Sequence, residues 1–459
     1  MIAQRCKPVA TALLLLTILV LSCFEETGAA GIIIRNVNLI DGTGRDIQYG
    51  VDIGVRNGRI AEIGKPLQWN SEAQIIEGKS RFVVPGLIDT HVHLDTAVLA
   101  QLSETERIEV IRHNPRAFLY NGVTTVLNVS SEEEWIWELR EAQRAGEVIA
   151  PRVYAMGSMF SPEGGWGYAA GLPDANAARD KAIRYVSKNT DGLKIVLEDG
   201  LGRSGKFTEM PDEMLNSIVA VGRQHDVPLY VHAINIEEYE RAIAAEPRAI
   251  VHGLEDPIPA HSDLLERLKQ HNIYVVPTLS LFKSFVTYDG SLASNILRNS
   301  VPGFMLEYVK DQQYMERERT LLNDYTKIDS YEWVEEKLPL FMKNTTLMHQ
   351  AGIKLAAGTD AGGTVGYNFQ GYNTPWELKL LVECGLTPME ALVAGTRNGA
   401  EVIGVENILG TIDPGKFADM LILGSNPLDD IGNIRDIDLV IQDGRIYERD
   451  YFAYKEEHL

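Results

Sequence analysis

Cysteine is scarce in this 459-residue chain: there are three, and Cys6 and Cys23 lie near the N-terminus, leaving Cys384 alone in the body. That scarcity excludes a disulfide-stapled scaffold. It also excludes a structural zinc site of four cysteines, or of two cysteines with two histidines. Positive charge is short as well. Lys and Arg number 43 against 64 Asp and Glu, a net charge of −21. Such a surface is a poor partner for nucleic acid or for polyanionic substrates, and its plain role is solubility. No internal repeat or low-complexity tract is visible, and no apolar run reaches the about 20 residues of a membrane-spanning helix. With 45% hydrophobic and 23% charged residues, the remaining class is a folded globular protein.

Residues 1–30 read as an export signal. Arg5 and Lys7 precede the apolar run Val9–Leu21, which is too short for a permanent anchor. Two processing sites compete. Val20-Leu21-Ser22-Cys23 is similar to a bacterial lipoprotein box, which makes Cys23 the lipidated first residue and attaches the protein to a membrane. Gly28-Ala29-Ala30 suits ordinary cleavage before Gly31. The first is the preferred reading, an exported periplasmic or cell-envelope lipoprotein.

Both ends of the remaining chain are rich in short β segments. In 31–84, Ile32–Ile34, Val51–Val55 and Arg59–Ile63 surround Asn57-Gly58; in 406–459, Ala418–Leu423, Ile437–Ile441 and Arg445–Tyr447 surround Asp443-Gly444. Asn-Gly and Asp-Gly between alternating segments are hairpin signals. The two ends are therefore expected to build one small β domain. The middle, 85–405, alternates strand-like runs with helical periodicity. The strands are expected at Leu87–Leu94, Thr124–Val129, Arg152–Met156, Leu193–Leu197, Leu229–Ala233, Ala249–Val251, Ile273–Leu279 and Lys354–Ala357. Eight buried-type strands with helices such as Asp212–His225, Ile236–Ala245 and Ser262–His271 between them are the pattern of a (β/α)8 barrel. The long connections at 158–190 and 280–350 are expected to be lids or substrate-contacting insertions.

Polar residues gather at the ends of these strands. His91 and His93 close the first, and period 2 points both rings to one face. A pair of satisfied histidines has the same pattern, but the other ends add Lys194, His232, His252 and Asp360. Catalytic groups of barrel enzymes collect at such ends, and histidines with a carboxylate suit zinc or a similar divalent ion. Lys194 has an ordinary ion pair as its alternative reading.

The sequence resembles the amidohydrolase superfamily of metal-dependent hydrolases, in the branch related to imidazolonepropionase and certain bacterial prolidases. The matching stretches are Val84–Leu94, Asn121–Val126, Ala357–Ala361 and Gly410–Asp419, and the likeness spans about residues 32–450. The resemblance implies an α/β fold, a distorted (β/α)8 TIM barrel with a small β-sandwich built from both termini. It implies His91, His93 and Asp360 on a more buried metal, His232 and His252 on a second, and Lys194 bridging both. Lys194 would then be an N6-carboxylysine, formed with carbon dioxide or bicarbonate. Two divalent ions, with zinc the expectation, would activate a hydroxide, and Asp360 would carry its proton to the leaving nitrogen of an amide-type bond.

Mononuclear, deaminase-like members carry a Glu three residues after the fifth-strand His. Here His232 is followed by Ala233, Ile234 and Asn235, which favours the binuclear subclass over a mononuclear cyclic amidohydrolase or deaminase-like enzyme. A non-catalytic ligand-binding lipoprotein is the other alternative, and the full ligand set disfavours it. The resemblance to prolidase-like members implies a small-molecule substrate, a dipeptide or N-acyl amino acid ahead of a cyclic amide or lactam. Tyr230, two residues before His232, is a candidate hydrogen-bond donor to it, or a barrel-filling aromatic. Arg203 and Lys206 are candidate partners for a substrate carboxylate. Gly164–Tyr168, Tyr367, Phe369 and Tyr372 are aromatic candidates for closing over an apolar group. A homo-oligomer is left open.

Overall fold

The computed structural model describes residues 31–455, apart from 68, 70–72, 97–98, 132, 168–170, 291 and 363–366. The export signal, Cys23 and Tyr168 lie outside the described residues. Five strands open the chain: β1 (Ile32–Leu39), β2 (Gln48–Arg56), β3 (Arg59–Gly64), β4 (Gln74–Glu77) and β5 (Phe82–Pro85). Seven follow in the middle: β6 (Leu87–Val92), β7 (Val123–Asn128), β8 (Arg152–Ala155), β9 (Leu193–Val196), β10 (Leu229–His232), β11 (Ala249–Val251) and β12 (Tyr274–Val276). Three close it: β13 (Met420–Leu423), β14 (Ile437–Gln442) and β15 (Arg445–Glu448).

The middle strands are parallel and pair as β6-β7-β8 and β9-β10-β11-β12. Isolated bridges link the two groups through Phe160–Ile195, Val275–Leu355 and Val92–Ala361. Every residue of β6, β7, β9 and β10 is buried, as expected for parallel strands covered on both faces. Helices supply that cover: α1 (Glu104–Tyr120), α2 (Glu133–Arg144), α3 (Ala175–Ser187), α4 (Asp212–His225), α5 (Ile236–Ala245) and α6 (Leu264–Gln270). Their starts are chemically marked. Ser103 and Glu106 form a capping box at α1, and Asn235 accepts from Glu238 N to open α5, satisfying amide groups that the first turn leaves unpaired.

The expected eighth strand, Lys354–Ala357, is reduced to the bridge at Leu355. Ala356 N still donates to Val275 O at 3.1 Å, but Ala357 N turns to Ala394 O at 3.0 Å, so the ladder ends there. Two consecutive alanines contribute little β preference to hold it.

At the two ends, eight strands hydrogen-bond into one sheet, in the order β15-β14-β13-β5-β1-β2-β3 with β4 beside β1. One continuous sheet thus stands where a two-sheet sandwich was expected. It curls back on itself: Ile60 N donates to Lys416 O and Ala418 N to Gly58 O, both at 2.9 Å. Asn57-Gly58 and Asp443-Gly444 make its hairpin turns with φ of 51° and 73°, and 49° and 71°, the left-handed pair that a two-residue turn requires. Alternation along β13 divides its side chains. Met420 and Ile422 join the sheet's own core, while Leu421 and Leu423 join the large core beneath the parallel strands.

The 280–350 insertion is largely helical: α7 (Leu279–Ser284), α8 (Asn295–Ser300), α9 (Gly303–Lys310), α10 (Gln312–Thr326) and α11 (Ser330–Gln350). No helix among the described residues is long and apolar enough to cross a membrane.

Candidate metal centre

The ends of β6, β9, β10 and β11, with the segment after Leu355, converge on one cavity of about 530 Å³. His91, His93, Lys194, His232, His252 and Asp360 all line it. The backbone sets their positions. Asp360 N donates to His91 O at 2.8 Å and His93 N to Ala361 O at 2.9 Å, clamping the two segments together. Asp89, fully buried, strengthens the clamp by accepting from His91 N (3.2 Å), Thr359 N (3.1 Å), Thr359 Oγ1 (2.8 Å) and Thr374 Oγ1 (2.7 Å). His252, Thr278 and Asp360 have φ of 82°, 48° and 52°. Left-handed backbone is unfavourable for such side chains and is held here by the surrounding structure.

Outer hydrogen bonds decide which ring nitrogens face inward. Ser130 O accepts from His93 Nδ1 at 2.7 Å, and His252 Nδ1 lies 3.0 Å from Thr278 Oγ1, so each ring keeps Nε2 for the cavity. His232 does the opposite, with Nε2 against the Glu198 carboxylate, leaving Nδ1 as its available nitrogen. Asp360 Oδ1 sits 2.9 Å from His93 Nε2 and 3.3 Å from His91 Nε2. Burial is outweighed here by Asp360, which raises the pKa of His93, so without a metal the contact is held by a proton on Nε2 that the carboxylate accepts. A divalent cation bound by the two would take the place of that proton. His91, His252 and Asp360 each offer a ligand atom within 4.8 Å of the others, and His91 Nδ1 is buried without a partner. This nitrogen and oxygen donor set fits zinc or a similar divalent ion.

Burial shapes the protonation states. Burial, with Lys194 nearby, lowers His91 to about 3, and burial takes His232 and His252 well below their usual range. Neutral imidazole is the form that binds metal. Lys194, 2% exposed and 3.3 Å from His91 Nε2, is lowered by burial to about 7.

Two sequence candidates stand elsewhere. Tyr230 is fully buried, and its hydroxyl donates to Val402 O at 2.6 Å; it fills the interior below the site rather than meeting a substrate. Arg203 pairs with Asp256 at 2.6 Å and does not line the cavity. Among the aromatic candidates, Trp166 lines the cavity, whereas Phe369 and Tyr372 belong to a separate core and Tyr367 packs on Tyr288.

Glu198 was missed. It is 2% exposed, lines the cavity and bonds His232, and burial with neighbouring carboxylates raises its pKa well above the usual value. Period 2 from Lys194 runs through Val196 to Glu198, so the strand pattern already pointed it inward. Glu198→Gln is expected to cut metal affinity or kcat/KM about 10- to 100-fold, with Glu198→Asp retaining more of both; a metal titration of each variant checks this.

The opposite wall is apolar. Leu281, Phe282, Phe285, Leu322, Tyr325 and Trp333 come from the 280–350 insertion and Trp166 from 158–190, so both insertions reach the cavity.

The amidohydrolase family model matches residues 82–447. The chain belongs to the amidohydrolase family. Among curated relatives, this amidohydrolase is 27% identical to N-acetylglucosamine-6-phosphate deacetylase from Lysinibacillus sphaericus over 121 residues, which is 26% of this chain and 30% of that protein. It is 24% identical to imidazolonepropionase from Geobacillus thermodenitrificans over 400 residues, 77% of each. Among solved structures, a Xaa-Pro dipeptidase with methionine bound in its active site superposes with a TM-score of 0.73 at 22% identity, covering 91% of this chain and 100% of that one. At that identity the likeness speaks for the fold, which is of the TIM-barrel type. Metal dependence is general in the family, in keeping with the His, His and Asp cluster of this amidohydrolase.

Proposed function

We propose that the protein is a binuclear, zinc-dependent hydrolase of an amide-type carbon–nitrogen bond. His91, His93 and Asp360 would hold one ion, His232 and His252 the other, and a carboxylated Lys194 would serve both. The observation that carries this reading is the convergence of these six side chains, with His93 Nε2 and Asp360 Oδ1 2.9 Å apart. The lowered pKa of Lys194 supports carboxylation. Its neutral amine adds to the carbon of carbon dioxide and releases a proton, giving a carbamate with two oxygen donors. Divalent ions bound here would supply Lewis acidity toward a carbonyl and make water acidic near neutral pH.

The chain's residues do the remainder. Asp360 takes a proton from the attacking water on its carboxylate and delivers it to the leaving nitrogen. Ser130 and Thr278 fix the rings of His93 and His252, and the wall of Phe282, Phe285 and Trp333 excludes bulk water. Metal analysis of the purified protein by mass spectrometry is expected to find about two equivalents; none overturns the proposal.

One equivalent would instead favour a mononuclear enzyme. A single observation speaks for that second reading: Glu198 places beside His232 a carboxyl group that the chain lacks three residues after it.

We also propose that the protein is exported and lipidated at Cys23. Metabolic labelling with palmitate should mark the wild type and not Cys23→Ala, whereas a mature N-terminus at Gly31 overturns it. The expectation of a dipeptide or N-acyl amino acid came from the resemblance to prolidase-like members; the two residues named beside it as partners for a carboxylate, Arg203 and Lys206, do not line the cavity.

A further inference from the structure

The cavity has no built place for a substrate carboxylate. Among the described residues that line it, Lys194 is the only lysine or arginine, and it sits against His91 Nε2. Three carboxyl groups, Asp95, Glu198 and Asp360, line the same space.

The nearby cations are placed elsewhere. Arg203 is paired to Asp256. Lys181 donates to Met159 O at 2.7 Å behind the lining, with Ser158 Oγ 3.4 Å away. Lys206 lies over the rings of Phe207 and Tyr325, 4.6 and 4.5 Å from their centroids, and does not itself line the cavity.

The wall formed by the 280–350 insertion is apolar and packed from behind. Phe282 stacks on Phe341 at 4.1 Å between centroids, and Trp333 Nε1 donates to Glu255 at 3.0 Å, which fixes the indole. A carboxylate pushed against this wall would lose its water and gain no partner, which is costly. An aromatic or branched apolar group would find matching surface there.

Resting on the hydrolase reading above, we propose that the substrate is an amide without a carboxylate, carrying an aromatic or bulky apolar group that packs against Phe282, Phe285 and Trp333. Specificity at this wall is then set by shape and desolvation, and a free acid is disfavoured there because the wall carries no cationic side chain.

Matched substrates test it on the full mature chain loaded with zinc: N-acyl-phenylalanine against its carboxamide, and an Xaa-Pro dipeptide against its amide. Each carboxamide is expected to exceed its acid at least tenfold in kcat/KM. Phe285→Arg, which places a guanidinium on the wall, should shift that ratio toward the acid at least tenfold, and Lys206→Ala should leave it unchanged. Acids cleaved as fast as the carboxamides, or a ratio collapsing in Lys206→Ala, overturn the substrate class while the hydrolase reading stands. Turnover of neither member, with Asp360→Asn matching the wild type, overturns both.

Discussion

Asp360→Asn is expected to lower kcat/KM by at least about a thousandfold, within the range lost when a positioned acid–base group is removed. The substitution is nearly isosteric, and the amide oxygen still offers a lone pair to a cation, but it no longer accepts a proton at neutral pH. The two roles of Asp360 therefore separate. Retained metal with lost turnover marks the proton carrier, whereas loss of both marks a ligand alone. The backbone contacts to His91 and Asn368, 2.8 and 2.7 Å from Asp360 N and O, do not involve the side chain, so the clamp around it should persist. Turnover within a few-fold of wild type in a steady-state assay would remove Asp360 from the chemistry.

Lys194→Ala should have an effect of similar size, about a thousandfold, and a different signature. The proposed metal-bridging anion would disappear, so metal content should fall from about two equivalents to about one. The vacated space next to His91 can admit a small carboxylate, and added propionate should restore part of the activity. Lys194→Arg, which keeps the cation and cannot be carboxylated, should be equally inactive and show no rescue. An increment of one carbon dioxide on the Lys194 peptide in native mass spectrometry would mark the modified side chain directly. Near wild-type turnover in either variant sinks the bridging role.

Much of this arrangement was legible because strand periodicity is strict. Alternation turns the side chains of Leu193–Val196 and Leu229–His232 inward or outward from sequence alone, and α4 and α5 begin and end at the expected residues. Depth along a strand was less legible than direction. Tyr230 shares a face with His232 but lies two residues lower, level with Lys194 in the β9–β10 register. A long flexible amine at that level reaches the site; a phenol at the same level is held by Val402 O below it. Arg203 failed for another reason, since nearness in sequence to a strand end does not determine which carboxylate claims a guanidinium. Glu198 could have been read by extending the strand pattern two residues beyond Val196. The single curled sheet was hidden because hairpin signals fix neighbours in sequence, and the pairing of β13 with β5 joins residues more than three hundred positions apart.

That pairing has a consequence for how the molecule comes apart. Residues of β13 alternate between two cores, and those of β5 do the same, with Val83 in one and Val84 in the other. Melting either core withdraws half the support of the strands it shares with the other. Heat or denaturant should therefore find a single cooperative unit, in which damage to the distant sheet is felt at the strand ends that carry the histidines.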